Sequence, residues 1–466
     1  MDTFDLFVIG GGPGGYVAAL RAAQLGARVA LAEEKYLGGV CLNVGCIPTK
    51  ALLRSAEVYE TIQNAKDFGV KISGDVLPDW SAMQKRKEQI AGRLTKGVGS
   101  LLKRADVILF DGRGRLLDAH TVEVTGSDGR VQQVQANKVI LATGSRPVQL
   151  PLPGFDLPGV LDSTGALELD VLPARMLIVG GGVIGAEFAT LFATLGVQVT
   201  VIEMLDRMLP MMDAEIGQEI ERSLKRRKVK MYFNSKATNI MQQDDVLRVT
   251  VETPEGNQEF AVDKVLVSVG RRANTENLGL EALGVRLKRN GIEVNEHMET
   301  NVPGLYAVGD VTGAWWLAHV SMKEGVVAAE NACGRPTRID YKTVPACVFT
   351  HPEVASVGLT EAQAAERGYQ VQVGRFPMMA NGKALTYGER DGWVKVVAEA
   401  RYGEILGLHI VGAHASDLIL EGALALGMEA TLDEIEATIH AHPTLGEAIA
   451  EAALAARGAA LHLTRP

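Results

Sequence analysis

The chain carries the same thirty-residue pattern twice, and few folds accommodate both copies. Residues 5–34, DLFVIGGGPGGYVAALRAAQLGARVALAEE, align with residues 175–204, RMLIVGGGVIGAEFATLFATLGVQVTVIEM, at an offset of 170. The glycines coincide, as do Leu25/Leu195, Gly26/Gly196, Val29/Val199 and Glu33/Glu203. Each copy reads as an apolar strand, a G-x-G-x-x-G turn, an apolar helix closed by glycine, and a second strand ending on an acid. That is a βαβ dinucleotide-binding unit. Its first two glycines (Gly10 and Gly12; Gly180 and Gly182) allow a tight turn and close approach of pyrophosphate to backbone N–H groups. The third (Gly15; Gly185) lets helix and strand pack closely. In both copies the acid follows the first glycine by 23 residues. Glu33 and Glu203 are suited to accept hydrogen bonds from a ribose 2′-OH and to repel a 2′-phosphate, which favours FAD and NAD over NADP. The plainer reading of either acid is a solvated strand end. Arg207 is a candidate to offset a phosphate, but Asp206 beside it opposes that.

Two further buried runs, KVILATGSRP at 138–147 and KVLVSVGRRAN at 264–274, each stop at a glycine, Gly144 or Gly270. A small residue there leaves room for a bound nucleotide. If the second unit occupies about 150–274, it is inserted in the first, and PGLYAVGDVTG at 303–313 supplies the missing strand, with Asp310 at its end facing a ligand. From about 343 the runs VPACVFTHPEVASVGLT, GWVKVVAEA and GEILGLHIVGA alternate as an antiparallel sheet does, and Ala/Leu helices follow. At 466 residues, with 51 glycines and only 5% aromatics, the chain suits a multidomain α/β protein rich in tight strand-to-helix turns. A net charge of −9 and short basic runs such as Lys225–Lys228 argue against nucleic acid as a partner. No stretch reaches the roughly 18–20 apolar residues of a membrane helix, so no membrane partner is expected. The run Phe4–Ile9 lacks a basic leader and reads as a strand, not a signal peptide. Four cysteines cannot form a structural disulfide framework in a chain of this size, and a reducing compartment is the default. Cys333 and Cys347 stand alone and read as small buried hydrophobes.

The other two cysteines lie in GGVCLNVGCIPTK at 38–50, directly after the first βαβ unit. Five residues along a regular helix separate Cα atoms by about 8.7 Å, beyond the roughly 7 Å limit for a disulfide, so a Cys41–Cys46 bond demands a distorted turn. Gly45 and Pro48 fit such a turn, and a small strained loop makes a bond easy to reduce, as a catalytic disulfide requires. Zinc is the competing account, but the spacing is wrong for two ligands of one site and no second pair follows; no metal is expected. Lys50, one helical turn beyond Cys46, brings a cation toward the same ligand, where it would stabilise negative charge on a reduced flavin; the alternative is a solvated lysine. Thiol chemistry needs a base. IHAHPTLGEA at 439–448 offers His442, constrained by Pro443, with Glu447 placed to orient its imidazole. His440 is the second candidate.

The segments GGVCLNVGCIPTK, GGGVIGAEFA, IEMLDRMLP, YAVGDVT, HPEVASVG and AHPTLGE resemble, in order and spacing, those of the flavin-dependent pyridine nucleotide–disulfide oxidoreductases, and among them most closely the dihydrolipoyl dehydrogenase group. The likeness runs from about residue 4 to 460. It implies an α/β fold class of two Rossmann-like dinucleotide-binding domains, the second inserted in the first, with a C-terminal α+β dimerisation domain. The implied divisions are an FAD-binding domain at 1–149, an NAD-binding domain at 150–274, a central domain completing the FAD site at 275–342 and an interface domain at 343–466. It also implies a homodimer in which His442 and Glu447 act on the partner's Cys41, with Cys46 facing the flavin and electrons passing from the dithiol through FAD to NAD+. Lys50 and Glu187 match an ion pair beside the flavin; Gly114, Gly144, Asp310 and Ala318 match FAD contacts and Gly270 an NAD contact. His319 is a structural neighbour of the flavin rather than a catalyst. The implied substrate is a dihydrolipoyl group on another chain, the acyltransferase component of a 2-oxoacid dehydrogenase complex or the glycine-cleavage carrier, in the cytoplasm or an organelle matrix. Val40 replaces a usual Thr and Gly446 a common Ser, which touches the environment but not the reacting groups. The rivals are a glutathione reductase, which would carry arginines at Glu203 and Met204, a mercuric ion reductase, which would end in a Cys pair, and a non-enzymatic redox sensor.

Overall fold

The computed structural model describes residues 3–288 and 290–463. Strand β1 (Thr3–Ile9) is buried at Phe4 and from Leu6 to Ile9, the near-continuous apolar pattern of a parallel strand covered on both faces. It pairs in parallel with β2 (Val29–Glu33), Leu6 opposite Val29, and with β5 (Val131–Leu141), Ile9 opposite Leu141. Strand β3 (Ile108–Leu116) extends the sheet beyond β2, and Leu305–Ala307 closes it beyond β5. Strand β4 (Thr121–Gly126) runs antiparallel between β3 and β5, forming a meander at the ends of those long strands. Helix α1 (Pro13–Gln24) lies along the helix Ala318–Ala332 at glycine-limited distance: a Cβ on Gly325 would stand 2.4 Å from the Gly14 carbonyl oxygen.

The second copy of the repeat builds a parallel five-stranded sheet in the order Lys230–Tyr232, Gln198–Ile202, Arg175–Val179, Lys264–Val267, Val160–Leu161. A three-stranded antiparallel sheet over 236–262 adjoins it. The chain leaves the first unit through β6 (Ser145–Pro147) and returns through Arg271–Ala273, and these two segments pair with Ser145 opposite Ala273. The second unit is therefore an insertion. Leu278, Leu280, Val285 and Ile292 then pack in one core with Phe4 and Phe7, so the chain after the insertion completes the first unit. Truncating a core ring such as Phe7, 0% exposed, costs about 3–5 kcal/mol.

The C-terminal part is an antiparallel five-stranded sheet in the order Ala346–Val348, Glu353–Gly358, Ile405–Gly412, Trp393–Glu399, Val371–Pro377. Helices Ala415–Gly427 and Glu447–Ala456 cover it. A buried ion cluster fastens this sheet to the inserted unit: Lys395 Nζ lies 2.9 Å from Asp213 and 2.7 Å from Glu215. Arg375, hydrogen-bonded to Glu215, and then Lys395 hold the Glu215 carboxyl down at about 2 against its burial.

Helices α2 (Gly39–Asn43), α3 (Cys46–Gln63) and α4 (Trp80–Arg104) follow β2. Asp79 caps α4 by accepting from the Ala82 N–H, and Lys103 and Arg104 complement the helix dipole in its last turn. Trp80 Nε1 donates to the Leu169 carbonyl at 2.7 Å and Lys87 Nζ to that of Leu167 at 2.8 Å, so α4 spans from the first unit to the second. Among the described residues no helix is long and apolar enough to cross a membrane.

Candidate active site

The distorted turn demanded by a Cys41–Cys46 pair is present. Helix α2 ends at Asn43, Val44 and Gly45 break the helical path, and α3 begins at Cys46. A Cβ on Gly45 would meet the Val40 carbonyl oxygen at 2.9 Å, which explains the glycine. Asn43 Nδ2 donates to the carbonyls of Leu37 and Gly39, both at 2.9 Å, while its Oδ1 accepts from Thr95 Oγ1 of α4 at 3.0 Å. Thr49 Oγ1 closes the other side on the Gly45 carbonyl. Both cysteines are thiols here, and the Cys41 side chain hydrogen-bonds that of Cys46. That bond, with the nearby Lys50 charge, outweighs burial and brings the Cys46 thiol down from 9.0 to about 7. The same bond, together with burial, drives Cys41 upward. The two sulfurs are thus electrostatically unequal: Cys46 takes the thiolate and Cys41 the proton.

Lys50 Nζ lies 2.8 Å from both oxygens of Glu187, a residue of helix Val183–Thr194 that is only 4% exposed. The ammonium also stands 4.5 Å from the centre of the Phe349 ring, whose backbone N–H donates to Glu187 at 3.0 Å. Three parts of the chain therefore fix one cation next to the thiol pair.

These groups line a cavity of about 1190 Å³, which also contains Gly10, Gly12, Glu33, Gly114, Gly144, Asp310, Ala318 and His319. Its walls fit FAD. Helix α1 has Gly12 at its N-cap, Pro13 in its first turn and no side-chain cap, so its free N–H groups face the cavity as a phosphate site. Gly10 has φ +106°, and a Cβ on Gly15 would stand 1.9 Å from the Gly10 carbonyl oxygen, so both positions exclude a side chain. Glu33 Oε2 accepts from the Gly11 N–H at 2.6 Å and Oε1 from Lys35, so the strand-end acid also fastens the glycine turn. Asp310 accepts from Ser145 Oγ at 2.5 Å, and Arg271 Nε donates to the same hydroxyl at 2.7 Å. Burial raises the Asp310 carboxyl, opposed by Ser145 and Arg271. His319 Nε2 sits 2.9 Å from the Pro345 carbonyl, and burial lowers its pKa.

The second glycine turn repeats the first. Gly180 has φ +109°, a Cβ on Gly185 would stand 1.9 Å from the Gly180 carbonyl, and Glu203 Oε2 accepts from the Gly181 N–H at 2.6 Å. Helix Val183–Thr194 likewise starts at Gly182 without a side-chain cap. Space is open at Gly182 and at Gly270, whose φ is +115°. This turn fits a second dinucleotide.

His442 is not in the cavity wall of its own chain. Its side chain is 79% exposed, and Nδ1 lies 2.9 Å from Glu447 Oε1. Glu447 Oε2 accepts from the Thr444 N–H at 2.8 Å, which ties the carboxylate to the loop carrying the histidine. Burial opposes ionisation of Glu447, but the bonds from Thr444 and His442 hold it below the ordinary carboxylate range. His440 differs: it is 10% exposed, with Nε2 engaged by Glu421 at 2.9 Å and Nδ1 near the Thr438 carbonyl, which leaves neither nitrogen open.

Sequence reasoning did not find Ser145, Arg271 or Phe349. The first two belong to the crossover strands and reach the site only once those strands pair. The reading of Cys347 as a buried hydrophobe is corrected: it is half-buried in the cavity wall, and burial pushes its thiol up to about 11. Cys333 too is only half-buried. No group of metal-ligating side chains forms among the described residues.

The family profile described as pyridine nucleotide-disulphide oxidoreductase matches residues 4–325, and its dimerisation-domain profile matches 344–453. A dihydrolipoyl dehydrogenase of Bacillus subtilis is 44% identical over 98% of this chain and 99% of its own length. One of Thermus scotoductus is 44% identical over 99% of each. The solved structure of LpdA from Mycobacterium tuberculosis superposes with a TM-score of 0.90 at 30% identity, covering 97% of this chain and 99% of that one. The HOCl-induced flavoprotein disulfide reductase RclA from Escherichia coli, solved as a Cu(II) complex, gives 0.88 at 28% identity, over 97% and 99%.

Proposed function

Because the chain belongs to the pyridine nucleotide-disulphide oxidoreductase family, we propose that it oxidises protein-bound dihydrolipoyl groups to their disulfide through Cys41 and Cys46, with FAD and NAD as its cofactors. The activity is that of a dihydrolipoyl dehydrogenase. The observation that carries the residue assignment is the unequal thiol pair beside the Lys50–Glu187 ion pair in the cavity wall.

When bound, FAD takes up the electrons of the thiol pair and delivers them as hydride to NAD+. The chain's residues do the rest. In the oxidised enzyme Cys41 and Cys46 are joined. His442, its Nδ1 held by Glu447, takes a proton from one substrate thiol at Nε2. The substrate thiolate attacks Cys41 Sγ; the Cys41–Cys46 bond breaks and Cys46 leaves as thiolate. Leaving is favoured at Cys46 because the low-pKa sulfur is the better leaving group and Lys50 is beside it. The second substrate thiol then attacks the substrate sulfur of the mixed disulfide; the bond to Cys41 breaks, His442 gives its proton to the departing Cys41 and takes the one released by the second thiol, so that Cys41 ends as a thiol, Cys46 as a thiolate and His442 protonated. Two electrons stay on the cysteine pair, and the substrate leaves as a cyclic disulfide.

The exposure of His442 and its absence from its own cavity support a homodimer in which it serves the partner's Cys41, through the dimerisation domain matched at 344–453. The divisions 1–149, 150–274, 275–342 and 343–466 belong to the same proposal, as do Gly10, Gly12, Gly15, Glu33, Gly114, Gly144, Asp310, Ala318 and His319 on FAD, and Gly180, Gly182, Gly185, Glu203 and Gly270 on NAD. The carrier is a lipoyl-bearing acyltransferase of a 2-oxoacid dehydrogenase complex or the glycine-cleavage carrier, met in the cytoplasm or an organelle matrix, where free thiols such as those of Cys333 and Cys347 persist. Cys46→Ser tests the relay: the variant is expected to retain yellow flavin and lose reduction of NAD+ by dihydrolipoamide, and undiminished turnover would refute it.

A further inference from the structure

Helix α4 turns one face toward the rest of the molecule. Gln84, Lys87, Ala91, Thr95, Val98 and Leu102 recur at intervals of three and four, which places all six within a sector of about 80°. In its first half this face is anchored to the inserted unit. Gln84 Nε2 and, one turn earlier, Trp80 Nε1 both donate to the Leu169 carbonyl, at 3.1 and 2.7 Å, and Lys87 Nζ donates to that of Leu167 at 2.8 Å. In its second half the face is apolar except at Thr95, which stands among the buried Ala91, Val98 and Leu102. Valine has the same shape as threonine, so packing alone gives no reason for the hydroxyl.

The hydroxyl serves the redox loop. A threonine inside a helix ordinarily bonds a carbonyl one turn back; Thr95 Oγ1 instead donates to Asn43 Oδ1 at 3.0 Å. Asn43 donates in turn through Nδ2 to the Leu37 and Gly39 carbonyls, each at 2.9 Å. It is the last residue of α2, directly before the break at Val44 and Gly45 that brings Cys41 and Cys46 together. From outside α2 and α3, Thr95 is the one side chain among the described residues that hydrogen-bonds this loop. The loop is thus tied to a helix whose other end is fixed on the inserted unit.

A regular helical path would hold the two Cα atoms about 8.7 Å apart, too far for a bond. In the disulfide the covalent bond itself keeps the turn bent. In the dithiol only non-covalent contacts do so, and here the dithiol is bent, with the Cys41 and Cys46 side chains hydrogen-bonded. Contacts that hold the open form in the shape of the closed one raise the effective concentration of each sulfur at the other. They move the balance toward the disulfide and make the reduced pair a stronger reductant.

We propose that Thr95 is a positioning residue of the redox pair: acting through Asn43, it holds the reduced loop in the geometry of the disulfide and so lowers the potential of the pair. This deepens the reading above and rests on it for the substrate.

The test equilibrates the flavin-loaded enzyme with mixtures of reduced and oxidised dithiothreitol, quenches in acid, and counts the Cys41–Cys46 disulfide by peptide mass spectrometry after alkylation. In that equilibrium the enzyme's S–S bond opens to two thiols, while dithiothreitol gives up two electrons and two protons and closes to its ring disulfide. Thr95→Val keeps the shape and deletes the donor. Its disulfide form stays bent, with Asn43 Oδ1 deprived of its partner, whereas its dithiol form is free to unbend. The ratio is therefore expected to move about fivefold toward the dithiol, about 20 mV at 29.6 mV per tenfold. Thr95→Ser retains the donor and is expected to stay within twofold of the parent. A ratio unchanged in Thr95→Val, or moved equally in both variants, overturns the proposal. Dithiothreitol needs no recognition by the enzyme, so the shift in Thr95→Val beside a parent inactive toward dihydrolipoamide supports the positioning role and refutes the substrate.

Discussion

Replacing Cys41 with alanine isolates the force that makes the thiols unequal. The hydrogen bond from Cys41 is the largest influence lowering Cys46 from 9.0 to about 7, ahead of Lys50, and burial acts against both. Without the donor, Cys46 returns to about 9 or above. At pH 7 its thiolate fraction then falls from about one half to about one in a hundred, roughly fiftyfold. A thiolate of higher pKa is intrinsically more nucleophilic, by about eightfold over two units at a Brønsted slope near 0.45. The net alkylation rate of Cys46 at pH 7 is thus expected to drop roughly sixfold, while above about pH 8 the variant overtakes the parent, so the two profiles cross. The assay is the pH dependence of iodoacetamide addition to Cys46 in the reduced, flavin-loaded dimer, read by peptide mass spectrometry. Cys41→Ser keeps an O–H donor and is expected to stay near the parent curve. Superimposable profiles for the parent and Cys41→Ala would refute the account of the pair.

Two other perturbations follow from buried charges. Lys50→Met leaves Glu187, 4% exposed, with only the Phe349 N–H and is expected to cost about 3 kcal/mol in urea unfolding; an unchanged midpoint would contradict the ion pair's role. Glu324, 1% exposed, accepts from the Gly309 N–H and the Tyr341 hydroxyl, and burial raises its carboxyl to about 7. A raised carboxyl stabilises the fold fully below its ordinary 4.5 and loses that contribution as pH climbs through 7, about 3 kcal/mol in all. Glu324→Gln should therefore gain in Tm relative to the parent as pH rises from 4.5 to 8, and parallel curves would rule this out.

The repeat made most of the fold legible because Gly10, Gly15 and their counterparts Gly180 and Gly185 are forced by backbone clashes that any residue with a Cβ would create. Lys50 was legible from its single helical turn beyond Cys46. Its link to Glu187 came from the family resemblance, since the partners are 137 residues apart. The α3–α4 hairpin and the antiparallel strands at 236–262 and 371–377 were not read, although Leu247, Val249 and Val251 alternate with polar residues as one face of a strand does. Ser145 and Arg271 were missed because each is ordinary in its own strand, and only the pairing of β6 with Arg271–Ala273 sets them against Asp310. His442 and His440 share a motif, and only coordinates separate the open imidazole from the one enclosed by Glu421.

The central claim is that a thiol pair from one subunit works with a base from the other. A purified heterodimer of one Cys46→Ser subunit and one His442→Gln subunit, each inactive as a homodimer, decides it. If the base acts across the interface, one intact site forms, and the heterodimer oxidises dihydrolipoamide at about half the parental rate. If both groups serve the same chain, neither site is whole and turnover stays at the level of the two homodimers.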